Sequence, residues 1–327
     1  MNSFKIQLNS NNATLTGYIH DKSREMPNTD IRPAVLVFPG GGYMMCSDRE
    51  ADPIALSYLA EGYNTFILRY SVGVDVPVSK AFEDADDAMG YLLENAEDLN
   101  IDVNKIAVIG FSAGGHLTAW LSNYGKVKPC AAILGYPAIL AASGKFLGKE
   151  FPELCDKVDE NTPETFIFTT RDDALVVVDH ALQYALALDR AKVGFELHVF
   201  ASGTHGLSLA KSHTSSGKPA MVNEDVAEWF GLSVRWLKRV LGDFVVAEEP
   251  VDFSKIDSHT PIAVLMNDEQ IWKTVAECFP ELPDRLNEAK ENGRWDMIKG
   301  ASIRQLANFT PDAYSVEAMD LLDSKLK

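Results

Sequence analysis

Apolar runs of strand length alternate with helically spaced apolar residues through the first three quarters of the chain. Phe4 to Leu8 and Leu15 to Ile19 alternate apolar and polar positions. With the Asn-rich link between them they predict an antiparallel hairpin. Ala34–Phe38, Thr65–Tyr70, Ile106–Ile109, Ala131–Gly135, Thr165–Thr170 and Phe195–Phe200 are continuous apolar or β-branched runs, the pattern of buried strands. Between them, apolar residues at helical spacing predict helices over Asp52–Glu61, Ser79–Asn100, Ala113–Ser122, Val178–Lys192 and Asn223–Leu241. Strands that alternate with amphipathic helices imply a mostly parallel sheet with helices on both faces. The hairpin adds antiparallel strands at one edge, for about eight strands in all.

After Gly242 the pattern changes. Glu248-Glu249-Pro250 reads as a linker. Beyond it lie helix candidates over Glu269–Phe279, Pro283–Asn292, Ile303–Asn308 and Val316–Leu326, and no strand run. The expected division is a catalytic α/β domain over 1–247 and a helical C-terminal appendage over 248–327. That appendage could cover an active-site mouth, form a dimer face or shield a sheet edge. The first two are favoured, so a homo-oligomer is one expectation.

Composition removes several classes. The 327 residues are 46% hydrophobic with a formal net charge of -17, which disfavours nucleic acid and anionic membranes as partners. Cys46, Cys130, Cys155 and Cys278 follow no metal-binding or disulfide spacing, so a metal site is not expected. No signal peptide or transmembrane run is visible, and a cytoplasmic location is expected.

The chemistry begins at Gly110-Phe111-Ser112-Ala113-Gly114, which fits G-x-S-x-G. That pattern alone arises by chance in roughly a tenth of chains this long. Here a strand precedes it and a helix follows, as a nucleophile elbow requires. A serine nucleophile needs a base, and the base needs an acid to orient it. The order Ser, Asp, His at successive strand ends is met by Ser112, by Asp172 or Asp173, and by His205 in the loop Gly203-Thr204-His205-Gly206. Asp173 is favoured, with Asp172 as a cap or loop-stabilising acid. The other six histidines are expected at the surface or at helix caps. Gly40-Gly41-Gly42 follows the third strand and fits an oxyanion loop, in which N–H groups of Gly41 and Gly42 would join that of Ala113. Tyr43 and Tyr136 either line the substrate pocket or pack their loops.

FPGGGYMMCSDRE, VIGFSAGGHLTAWL and TTRDDALVVVDHALQY together resemble the bacterial α/β-hydrolase acetylesterases. These are close to the hormone-sensitive-lipase group and to the acetyl-xylan and feruloyl esterases. The likeness covers roughly residues 30 to 242. It implies an α/β-hydrolase fold, a Ser112–His205–Asp173 triad and no cofactor. The reaction implied is hydrolysis of short acyl esters, often acetyl groups on sugars, so the expected partner is a small-molecule or oligosaccharide ester. Phe38-Pro39 stands where HGGG-type loops carry histidine, and Val177 stands where proline is usual. A feruloyl-type esterase, a prolyl-oligopeptidase-like peptidase and a catalytically inert binding module are the alternatives.

Overall fold

The computed structural model describes residues 1–8, 12–23, 25–245 and 255–326. These divide into two compact units, Met1–Phe244 and Val245–Lys327. The expected linker Glu248-Glu249-Pro250 lies outside the described residues. No helix among the described residues is long and apolar enough to cross a membrane.

The first unit is built on an eight-stranded sheet. Its strands are β1 (Asn2–Gln7), β2 (Thr14–Ile19), β3 (Arg32–Phe38), β4 (Asn64–Arg69), β5 (Ile101–Phe111), β6 (Ala131–Gly135), β7 (Glu164–Thr170) and β8 (Phe195–Phe200). They lie in the order β1-β2-β4-β3-β5-β6-β7-β8. β1 and β2 are antiparallel at one edge, and all pairings from β4 to β8 are parallel. The period of two along β3 explains the layering. Leu36 and Phe38 face a core shared with α2 (Val78–Glu94) and α3 (Ala113–Tyr124). Val35 and Val37 face the opposite core, shared with α1 (Asp52–Ala60) and α6 (Glu224–Leu241), where Trp229 and Trp236 are buried. α5 (Asp179–Ala191) packs on β6 and β7 through Tyr184 and Leu188.

Three elements of the first unit depart most from the sequence expectation. α2 stops at Glu94 instead of Asn100. The chain turns at Asn100 in the left-handed region (φ 51°), and the Asn64 side chain donates to the Leu99 carbonyl, so 95–100 are drawn back to start β5. Asparagine tolerates that conformation better than most residues. β5 also begins at Ile101, five residues early, because backbone pairing with Arg32 extends it past its apolar run. The link between β6 and β7 holds a short helix, α4 (Ala142–Leu147), that its sequence did not announce.

The second unit contains α7 (Ile262–Leu265), α8 (Glu269–Cys278), α9 (Leu282–Glu291), α10 (Trp295–Ile298), α11 (Ile303–Phe309) and α12 (Val316–Lys325). The side chains of Asp268, Ser302 and Ser315 accept first-turn N–H groups and so begin α8, α11 and α12. The helices enclose their own core, including Leu265, Val275, Leu286, Ile303 and Leu322.

Candidate active site

Ser112 sits between β5 and α3 with φ 53° and ψ -115°, a backbone state that a side-chain-bearing residue occupies only under constraint. Its neighbours supply the constraint. A Cβ on Gly110 would lie 2.0 Å from the Gly114 carbonyl oxygen, and one on Gly114 would lie 2.1 Å from that of Phe38. Glycine is therefore the residue that lets strand and helix meet this closely. The Ser112 N–H donates to Gly135 O at 2.9 Å, while its carbonyl accepts from Ala138 and His116.

The other two predicted residues converge on this turn. His205 Nε2 lies 2.8 Å from Ser112 Oγ, and its Nδ1 lies 2.6 Å from Asp173 Oδ2. Asp173 follows β7 and is 3% exposed. Its other oxygen accepts the N–H groups of Leu175 and Val176, both at 2.9 Å, which orients the carboxylate toward the imidazole. Asp172, the alternative, is exposed. Direction along the chain explains this: one residue further from β7 points inward, the other to solvent.

The glycine loop closes the opposite side. Gly41 (φ 129°), Gly42 (φ 63°) and Tyr43 (φ 57°) all have positive φ. A Cβ on Gly41 would lie 2.1 Å from the Met45 carbonyl oxygen. Gly40 lies beside Ser112, since a Cβ there would come within 3.2 Å of the Ser112 Cβ. Loop carbonyls accept from below: Gly41 O from Met44 and Met45, Gly40 O from Ser47. Ala113 opens α3, so its N–H is one of the first-turn donors without an intrahelical acceptor.

Tyr43 and Tyr136 are both buried, at 1% and 2% exposure. The Tyr43 hydroxyl meets His116 Nδ1 at 2.8 Å, and the Tyr136 hydroxyl donates to Glu50 Oε1 at 2.6 Å. Their hydroxyls are therefore committed inside the protein. Tyr136 still reaches the site, its ring edge-on to His205 at 5.2 Å between centroids. Burial, then the Glu50 carboxylate, holds its phenol well above the usual range, so it remains a donor.

Several buried polar residues in and around this site carry no mark in the sequence. His116 and His180 are buried, at 0% and 7% exposure, where surface or capping positions were expected. α3 is enclosed on nearly all sides between sheet and α2, so even its polar residues enter the core. Burial pushes the His116 imidazole down to about 3. Glu50 is 3% exposed and accepts the Gly40 N–H at 2.9 Å. Lys149 is 8% exposed and donates to the carbonyls of Gly73, Val74 and Val76, tying the segment after α4 to the 73–76 loop. None of these stands in a spacing that marks chemistry; only the fold assembles their partners. Cys46 is a packed thiol, pushed up to about 11 by burial.

A mostly parallel sheet with a serine on a strained strand–helix turn, and an aspartate and a histidine after later strands that meet it, is the arrangement of an α/β hydrolase. The BD-FAE family model matches residues 23–131. The solved structure of MGS-M1, an alpha/beta hydrolase enzyme from a Medee basin deep-sea metagenome library, is 51% identical with a TM-score of 0.70, covering 74% of this chain and 98% of that one. Endo-1,4-beta-xylanase B of Butyrivibrio fibrisolvens is 32% identical over 62% of this chain and 36% of its own length. Acetylxylan esterase of Xylanibacter ruminicola is 31% identical over 56% of this chain and 43% of its own. The matches thus span less than half the length of these two relatives. The chain belongs to the α/β-hydrolase family, and within it resembles the acetylxylan-esterase and carboxylesterase members.

Proposed function

We propose that the protein is a serine carboxylesterase that removes short acyl groups, acetyl foremost, from small or oligosaccharide esters. The observation that carries this reading is the hydrogen-bonded line Asp173–His205–Ser112, with its 2.6 and 2.8 Å contacts, beside a loop of positive-φ glycines. In this mechanism His205 Nε2 takes the Ser112 proton as Oγ attacks the ester carbonyl. Asp173 accepts the Nδ1–H, holding the imidazole tautomer and stabilising the imidazolium. The N–H groups of Gly41, Gly42 and Ala113 receive the developing oxyanion. The alcohol leaves with the proton from His205, and water, deprotonated in turn by His205, releases the acid.

The preference for short acyl groups rests on the link between β6 and β7. Its helix is the short α4, and Lys149 clamps its end against 73–76. The acetylxylan esterase relative supports acetylated sugars as the substrate class. Four free cysteines suit a reducing compartment such as the cytoplasm.

Ser112→Ala is expected to abolish hydrolysis of p-nitrophenyl acetate and labelling by a fluorophosphonate while keeping the wild-type melting temperature. Hydrolysis surviving in that variant would reject the mechanism. Rates that rise from acetate to octanoate esters would reject the short-acyl preference.

A further inference from the structure

Glu50 closes a short 3-10 turn, Asp48–Glu50, that the hydrolytic steps do not use. A buried carboxylate is costly unless its oxygens are hydrogen-bonded, and an apolar residue packs the same space more cheaply. Here both oxygens are engaged. Oε2 accepts the Gly40 N–H at 2.9 Å, and Oε1 accepts the Tyr136 O–H at 2.6 Å. The Tyr136 oxygen in turn accepts the Ser208 N–H at 2.9 Å, in the loop that carries His205. The preceding residue ties the same loop: Arg49 Nη1 donates to Gly206 O at 2.7 Å and to Thr214 O at 3.2 Å, and the Arg49 carbonyl accepts from the Ser208 hydroxyl. Gly40 admits the carboxylate because it has no side chain; a Cβ would lie 2.6 Å from Oε2.

Three segments that are remote in sequence thus meet on two residues: the glycine loop after β3, the turn after β6 and the His205 loop after β8. We propose that Glu50 is a positioning residue of the hydrolytic site. Its carboxylate holds the oxyanion loop through Gly40 and the base loop through Tyr136, and so sets the distance between the oxyanion donors and His205. The proposal rests on the esterase reading above. Glu50 touches no reacting atom in it; it acts through Gly40 on the neighbouring N–H groups, and through Tyr136 and Ser208 on His205.

The role requires two acceptors. Glutamine offers one oxygen and one NH2; with its oxygen on the Gly40 N–H, the NH2 meets the Tyr136 oxygen and the Tyr136 O–H loses its acceptor. Glu50→Gln therefore keeps the shape and removes the Tyr136 O–H to carboxylate bond. Tyr136→Phe removes the hydroxyl itself and leaves the carboxylate.

The test uses the full chain, with Ser112 titrated by a fluorophosphonate to count competent sites. Steady-state p-nitrophenyl acetate kinetics then give kcat per site and KM. Misplacement by a fraction of an ångström to an ångström should lower kcat per titrated site about 30-fold in Glu50→Gln, with KM within about threefold. Tyr136→Phe, which keeps the Glu50–Gly40 bond, should lower kcat per site about tenfold. A kcat per site within about twofold of wild type overturns the proposal, as does a loss explained entirely by fewer titratable sites or by KM. If Glu50→Gln does not fold, Tyr136→Phe decides the proposal by those overturning criteria. A wild-type protein that neither labels nor hydrolyses removes the esterase reading, and the positioning role with it. An active wild type beside an unaffected Glu50→Gln removes only the latter.

Discussion

Acid should weaken the first unit through His116. The imidazole is 0% exposed, with Phe151 tilted against it at 4.1 Å between centroids and Phe82 stacked at 6.0 Å. Its Nδ1 is bonded to the Tyr43 hydroxyl, and its Nε2 has no partner among the described residues. Burial first, and repulsion from His180 second, lower its pKa from 6.5 to about 3. The unfolded chain therefore binds a proton that the folded chain refuses between those values. Stability is fully present above pH 6.5 and is lost as pH falls toward 3. Linkage gives a loss of about 2 kcal/mol by pH 5 and about 3 kcal/mol by pH 4, relative to pH 7.5. Other groups also titrate, His180 among them, so the comparison is with His116→Asn, which has nothing to protonate there. Unfolding in urea can be followed by fluorescence in a Trp272→Phe/Trp295→Phe background, leaving Trp120, Trp229 and Trp236 to report on the first unit. The wild type should be the more stable at pH 7.5, and its advantage should shrink by about 2 kcal/mol at pH 5. An advantage that stays constant from pH 7.5 to pH 4 would show that the imidazole is solvated or charged, and would refute the reasoning.

Asp173→Asn should lower kcat for p-nitrophenyl acetate by about 10⁴-fold, because the amide no longer holds the required imidazole tautomer. Asp172→Asn should leave kcat near the wild-type value, its carboxylate being exposed; equal losses in the two variants would contradict the assignment of the acid. Gly114→Ala forces a methyl to within 2.1 Å of the Phe38 carbonyl oxygen. It should cost about 1–3 kcal/mol, read as a lowered melting temperature together with lost ester hydrolysis. An unchanged melting temperature would mean that β3 and α3 can separate freely.

Most of the scaffold was legible because it rests on local patterns. Continuous apolar runs mark strands covered on both faces, and the alternating pair at the N-terminus marks the edge hairpin. Ser112 was legible from its glycines, since close approach of strand and helix leaves no alternative residue. His205 and the Asp172–Asp173 pair followed from their places after β8 and β7. Boundaries were less legible. The apolar spacing does not mark the end of α2 at Glu94, because the turn at Asn100 answers to pairing with Arg32 and Asn64.

The chain alone determined the layered α/β architecture, the strand–turn–helix at Ser112 and the order in which Ser112, the Asp172–Asp173 pair and His205 follow their strands. Each depends on neighbouring residues or on position along one strand. Only the tertiary structure decided between Asp172 and Asp173, took His116 into the core, committed the Tyr43 and Tyr136 hydroxyls inward, and brought Glu50 against both Gly40 and Tyr136. These are contacts between residues 10 to 86 positions apart in the chain. A lone charged or polar residue carries no periodicity, so nothing local in the sequence distinguishes a buried carboxylate from a solvated one.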